Sequence, residues 1–249
     1  MLTQPSTAVL LGLDVYRGHR FPREVIARAV RLYPRFALSF RDVEELLAER
    51  GIVVSYETVR RWVAKFGAYY ADELRRREVR AGRTWHLDEM GVRLGGRLHW
   101  LWRAVDEQGQ TLDVLPQAHR DTAAAERFLR HLPDLPGGAA AARVTTDELG
   151  SYAAALARVP EPAEAEHLQG RAAMRCTNRV EQARQPTRFR ERVMRRFKSA
   201  ASAQRFLDAF ARVGNLFRPG RHRLAAAAYR ATMHERVATW RAVDGLRAA

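Results

Sequence analysis

The chain has 249 residues, 47% hydrophobic and 29% charged side chains and a formal net charge of +15. That apolar share excludes an intrinsically disordered chain, and the length suits a small module joined to a core of about 150 residues. The longest apolar run near the N-terminus, "TAVLLGL" at 7–13, is too short for a membrane span and lacks the flanks of a signal peptide, so a soluble cytoplasmic protein with no membrane partner is expected. The lone Cys176 excludes an internal disulfide and a multi-cysteine zinc site.

Charge is unevenly spread: residues 1–83 carry +6, residues 84–170 carry −5 and residues 171–249 carry +14. Basic ends around an acidic centre are what a protein needs if its ends grip polyanionic nucleic acid while its centre holds cations. A GC-rich source genome accounts for the preference for Arg, since Lys65 and Lys198 are the only lysines, but not for the acidic centre.

Residues 1–20 show no periodicity and read as a flexible arm. From Pro22, "FPREVIARAVRLYPRF" places Val25, Ile26, Ala29, Val30 and Tyr33 on one helical face, with a stop expected near Tyr33 because Pro34 follows. Ser39 with Asp42 resembles a capping box, and Val43, Leu46 and Leu47 make the stripe of a helix ending at Gly51. Ser55 then caps a second helix with Val59, Trp62, Val63 and Phe66 at three- and four-residue spacing. This is a helix-turn-helix pattern, whose second helix would offer Ser55, Tyr56, Thr58, Arg60, Arg61 and Lys65 to DNA; an ordinary helical hairpin with a solvated polar face has the same pattern. The expected DNA-binding domain covers residues 21–72, followed by a charged linker over 73–83.

After Thr84 the period changes to two. "TWHLDEMGVRL", "RLHWLWRAVD" and "QTLDVLPQAH" read as three strands separated by Gly95-Gly96 and by "EQG" at 107–109, which predicts an antiparallel meander. Asp121 caps a helix, "ARVTT" is a short strand ending at Asp147, a helix is expected from about Tyr152 to Val159, and a loop leads to another short strand near "EHLQ". From Asn178 onward a basic, helical chain is expected, with residues 199–249 serving DNA binding or oligomerisation. Strands, helix, strand, helix, strand and further helix is the order of an α/β ribonuclease-H-like core of the retroviral-integrase type, expected over 84–198 beside the all-α N-terminal domain.

In that fold an Asp of the first strand, an Asp ending the fourth and an acid on a later helix converge, and Asp88, Asp147 and Glu181 occupy those places. Three carboxylates in a small volume repel one another unless cations neutralise them. Hard oxygen ligands select Mg²⁺ or Mn²⁺, and two such ions, with Asp88 bridging them, suit phosphodiester chemistry. On this reading Asp88 and Glu89 interrupt an apolar strand because metal must bind there; the bland alternative is solvated strand-end and helix acids. His86 suits packing or support of a ligand better than ligation, and Trp85, Trp100 and Trp102 suit the core better than base stacking. Arg188, Arg192, Arg195 and Arg196 fall within reach of one helical side and suit tracking of phosphates.

The stretches "SFRDVEELLAERGIVVSYETVRRWVAKFG", "WHLDE", "RAVDEQG", "TDELGSY", "NRVE", "QPTRFRERVMRRFKSAASAQRFL" and "NLFRPGRHRL" carry a family resemblance running from about Phe21 to Trp240. The chain resembles a DDE transposase of bacterial insertion sequences, of the cointegrate-forming insertion-sequence-six family. The resemblance implies that Asp88, Asp147 and Glu181 are the catalytic, metal-holding triad. It also implies that the N-terminal module binds the element's terminal inverted repeats and that the reaction is metal-dependent nicking and transfer into target DNA. Pairing two element ends implies at least a homodimer. Where the family carries Thr, Lys and Asn-Ser-His beside its acids, this chain has Met90, Glu148 and Gln182-Ala183-Arg184. These departures leave open a second reading, a catalytically impaired copy that only binds DNA.

Overall fold

The computed structural model describes residues 15–36, 38–77, 81–132, 141–147, 149–159, 165–170, 197, 199–218 and 224–244. The chain forms two compact units, one of residues 1–74 with 216–249 and one of residues 75–215.

In the first unit, helix α1 (Arg23–Arg35) buries Ile26, Ala29, Val30 and Tyr33. It does not stop before Pro34 but includes it in its last turn. A proline there removes one N–H from the ladder, yet only Arg35 follows before the chain leaves the helix, so the disruption is confined to the end. Helix α2 (Phe40–Ala48) opens with the expected capping box: Asp42 N–H donates to Ser39 Oγ at 3.1 Å and Ser39 N–H donates to Asp42 Oδ2 at 2.7 Å. At α3 (Tyr56–Arg77), Thr58 N–H donates to Ser55 Oγ at 3.3 Å, and Val59, Trp62, Phe66 and Tyr70 are buried while Val63 is only partly so.

Tyr16, within the segment read as a flexible arm, is buried instead. Its ring stacks on Phe66 with centroids 4.9 Å apart, and its hydroxyl donates to Asp244 Oδ1 at 2.6 Å. Tyr70 donates to the same oxygen at 2.6 Å and stacks on Trp240 of the C-terminal helix (Ala226–Val243) at 4.4 Å. Burial pushes the Asp244 carboxyl above the usual aspartate range, against the pull of the two phenols.

The second unit holds a sheet of β1 (Thr84–Leu94), β2 (Arg97–Asp106), β3 (Thr111–Gln117), β4 (Arg143–Thr146) and β5 (Glu166–Gln169), in the order β3-β2-β1-β4-β5. The meander pairs are antiparallel, whereas β4 is parallel to both β1 and β5. With α4 (Thr122–His131) and α5 (Gly150–Leu156) interleaved, this is the expected ribonuclease-H-like α/β core. Gly95 and Gly96 have φ of 56° and 83°, which a two-residue hairpin whose twist matches its strands requires.

β1 lies at the centre of the sheet, and its odd-numbered side chains Trp85 and Leu87 join Trp102, Ala104, Phe128, Leu129, Val144, Tyr152 and Ala155 in one core cluster with α4 and α5. Helix α5 starts at Gly150, two residues before the expected Tyr152, and ends at Leu156, three before Val159. Helix α6 (Ala200–Phe217) serves the edge strand β3: Gln204 donates to Val114 O at 2.8 Å, Arg212 to Leu112 O at 2.8 Å, and Asn215 exchanges two bonds of 2.9 Å with the Thr111 backbone. An edge strand's unpaired backbone groups invite association, and α6 satisfies them within the chain. The loop expected over Pro133–Gly138 and the basic helical stretch expected over 178–196 lie outside the described residues. Among the described residues, no helix is long and apolar enough to cross a membrane. The last helix, Ala226–Val243, is α7.

Two predictions follow from these cores. Trp102 is fully buried, so Trp102→Ala should lower the stability of the sheet unit by about 3–5 kcal/mol in urea unfolding, and a loss under about 1 kcal/mol would contradict the core assignment. Because Asp244 has a raised folded pKa, the folded state binds its proton more tightly than the unfolded state, and stability from this group falls as pH rises through that window. The wild type should therefore lose stability relative to Asp244→Asn as pH rises above the usual aspartate range; a difference independent of pH would refute this.

Candidate active site

The site is built on the parallel seam between β1 and β4, where His86 pairs with Thr145. Two residues further along each strand stand Asp88, within β1, and Asp147, just past the end of β4. Extended two residues along each strand, the register of that pair leads both acids to the same end of the seam, with Asp147 beyond the last paired residues. Side chains lock the seam. Thr145 Oγ1 donates to Trp85 O at 3.2 Å, which leaves its oxygen to accept from His86 Nδ1. His86 is a buried tether of the two strands that present the acids.

Asp88 is 3% exposed, and its charge is matched by Arg103, its direct partner across the β1–β2 ladder. Arg103 Nη2 donates to Oδ2 at 3.0 Å and Nε to Oδ1 at 3.3 Å, a two-pronged pair. Removing one member of such a buried pair costs about 3–5 kcal/mol, since the other charge is left without compensation.

Glu89 points to the opposite face and has a different task from the one expected. Tyr152 of α5 donates to its Oε2 at 2.9 Å, while Arg120 donates to Oε1 from Nε at 2.8 Å and from Nη2 at 2.5 Å. Burial pushes the Glu89 carboxyl up and the charge of Asp147 adds to the rise, whereas the Arg120 and Tyr152 hydrogen bonds oppose it. Arg120 also approaches Asp147 Oδ2 at 3.8 Å and lies over the Trp100 ring, 5.0 Å from its centroid. A buried acid thus anchors a half-exposed guanidinium beside Asp147, whose side chain is 41% exposed. In this strand Glu89 holds an arginine.

For a divalent cation, Asp88 and Asp147 supply hard oxygens, and a carboxylate oxygen can accept more than one interaction. The donor chemistry therefore fits Mg²⁺ or Mn²⁺. Among the described residues no group of three or more His, Cys, Asp or Glu side chains is disposed to hold a metal ion. Glu181, the third expected ligand, lies outside the described residues, as do Glu148, Gln182, Ala183, Arg184, Arg188, Arg192, Arg195 and Arg196.

On α3, Tyr56, Arg60, Arg61 and Lys65 are exposed, and Thr58 is partly so. Glu57 engages Arg60 at 2.6 Å and Arg61 at 3.5 Å, and the Arg60 hydrogen bond holds its carboxyl below the usual range. Arg41 lies over the Tyr56 ring at 5.0 Å, and Lys65 Nζ is 2.9 Å from His19 Nε2.

Sequence reasoning missed Arg103 and Arg120. The first had a signal: a two-residue turn at Gly95-Gly96 fixes a register that sets Arg103 opposite Asp88. Arg120, between β3 and α4, had none, because only the fold brings it to Glu89.

A family model described as a DDE domain matches residues 82–220. Two relatives from Staphylococcus aureus are each 33% identical over 147 residues: the transposase for insertion sequence-like element IS431mec, from strain N315 among others, and the transposase for insertion sequence element IS257 in transposon Tn4003. Each match covers 59% of this chain and 65% of the relative, so the chain matches less than two thirds of the length of these relatives. One solved structure with a partial likeness is a simian T-cell lymphotropic virus intasome in complex with PP2A regulatory subunit B56 gamma, at 13% identity and a TM-score of 0.36 over 55% of this chain and 50% of that one. The domain match spans more than half of the chain, and with the shared likeness to insertion-sequence transposases it places the chain in the DDE transposase family.

Proposed function

We propose that the chain is a transposase subunit that binds the terminal inverted repeats of its insertion sequence and carries out metal-dependent nicking and strand transfer, forming cointegrates, in the cytoplasm. The observation that carries this reading is the parallel seam of β1 and β4, which leads Asp88 of β1 and Asp147, just past β4, to the same end of the seam, with a half-exposed arginine beside Asp147. Asp88, Asp147 and Glu181 are the residues that would hold two Mg²⁺ or Mn²⁺ ions. Bound there, the ions supply charge neutralisation and Lewis acidity at a scissile phosphodiester.

The chain's own side chains set the rest. Arg103 fixes the orientation of the Asp88 carboxylate. Glu89 and Tyr152 hold Arg120 where its guanidinium reaches both Asp147 and solvent, a place from which it can bind a phosphate oxygen of the DNA. Residues 21–72 form the end-binding domain, with Ser55, Tyr56, Thr58, Arg60, Arg61 and Lys65 toward the duplex; Arg188, Arg192, Arg195 and Arg196 follow the phosphates near the acids. Two ends joined to one target require at least two subunits. A second reading, a copy that binds ends without cutting, is favoured by the buried Met90 and by the charge reversal at Glu148. Activity regained on restoring Thr, Lys and His at 90, 148 and 184 of an inactive protein would select it.

Purified protein, a labelled duplex bearing the native element end, a target plasmid and Mg²⁺ should yield nicked and joined products that EDTA abolishes. Retention of the duplex with neither product would contradict the catalytic reading. Asp88→Asn should abolish nicking with end binding nearly intact, and loss of binding would contradict the separation of tasks between the domains. Arg120→Ala should slow nicking by about 10²–10³-fold, the usual cost of losing one donor to transition-state charge; an unchanged single-turnover rate would remove Arg120 from the site.

A further inference from the structure

Helix α1 carries Arg28, Arg31 and Arg35 at three- and four-residue spacing, along a line opposite its buried Ile26, Ala29, Val30 and Tyr33. An arginine stripe on a helix is ordinarily a solvated face, yet these three are partly buried. The Nε atoms of Arg28 and Arg31 are buried without a hydrogen-bond partner. Arg31 lies over the Phe217 ring, 5.5 Å from its centroid. None of the three forms an ion pair among the described residues.

Their charged neighbours are cations. Burial lowers the pKa of Arg31, and Arg28, Arg241 and Arg35 lower it further; burial and Arg50 do the same to Arg28. A guanidinium keeps its proton in spite of such shifts, so the folded protein holds a line of mutually repelling positive charge. That arrangement is unfavourable for the free protein and becomes favourable with a polyanion alongside.

We propose that Arg28, Arg31 and Arg35 form a binding site for the phosphodiester backbone of duplex DNA, separate from the exposed face of α3. The three span about 10 Å along the helix, about three phosphate-to-phosphate rises of one DNA strand, so the stripe is long enough to follow one backbone. Charge without planar partners for bases suits phosphate contacts, which position a duplex without reading its sequence. The inference rests on the reading of the chain as a DNA-binding transposase and adds a second contact surface to it.

The test is fluorescence anisotropy with the full chain, on a duplex bearing the element end and on an unrelated duplex of equal length, over a series of salt concentrations. Each phosphate contact contributes about 0.9 to the slope of log affinity against log salt, so the triple variant Arg28→Gln, Arg31→Gln, Arg35→Gln should lower that slope by about 2–3 on both duplexes. The ratio of affinities for the two duplexes should stay unchanged, and the melting temperature should not fall, because repelling charges have been removed. An unchanged slope overturns the site. So does a lower melting temperature, which would mark the arginines as structural, or an altered ratio, which would mark them as base readers. Stabilisation of the wild type by inorganic phosphate with no change of slope in the variant would identify a small-anion site and also overturn it. If the wild type fails to prefer the element end, the proposed function falls, while the slope still decides whether these arginines contact phosphate.

Discussion

The parallel pairing of β1 with β4 is the constraint on which the site depends. Only three residue pairs define it, Thr84 to His86 against Arg143 to Thr145, yet it leads Asp88 and Asp147 to the same end of the seam although 58 residues separate them in the chain. The surrounding structure fixes this seam. Trp85 and Val144 sink into one core on its helical side, and His86 and Thr145 are bonded across it on the other. A slip of β4 by one residue would turn its side chains to the other face, which would set Val144 against polar groups.

Placing acids at the centre of a sheet creates a charge problem, and the protein solves it separately on each face. Asp88 receives Arg103 from the neighbouring strand; Glu89 receives Arg120 from beyond β3 and a hydroxyl from Tyr152. The first pair is sealed from water, while the Arg120 guanidinium stays partly open beside Asp147. Buried carboxylates without such partners would take up protons instead of staying ionised. The charge balance therefore compensates Asp88 and Glu89 within the sheet and leaves the Arg120 guanidinium partly open beside Asp147.

Most of the architecture was legible because it rests on local rules. Gly95-Gly96 supplied the hairpin, the Ser39 and Asp42 pair supplied a helix start, and alternation over 84–117 supplied the meander. Pro34 misled, since a proline in a final turn displaces little and the rule against it applies to helix interiors. Tyr16 was read as part of an arm because its partners Tyr70 and Asp244 lie 54 and 228 residues away. Arg28, Arg31 and Arg35 look in sequence like a solvated stripe, and only the packing of Phe217 and the nearness of Arg241 show that they are partly buried and crowded by like charge. Glu89 was grouped with Asp88 because adjacent acids look alike in a string, whereas strand alternation sends them to opposite faces.

The central claim is that Asp88 and Asp147 act together as one cation-binding pair while Glu89 belongs to Arg120. Anomalous diffraction from crystals of the full chain bound to its end duplex and soaked in Mn²⁺ tests it directly. The account predicts manganese density in contact with the carboxylates of both Asp88 and Asp147, with Glu89 still bonded to Arg120 and Tyr152. Density on Glu89, or none at the seam with Asp88 and Arg103 still closed on each other, would contradict it.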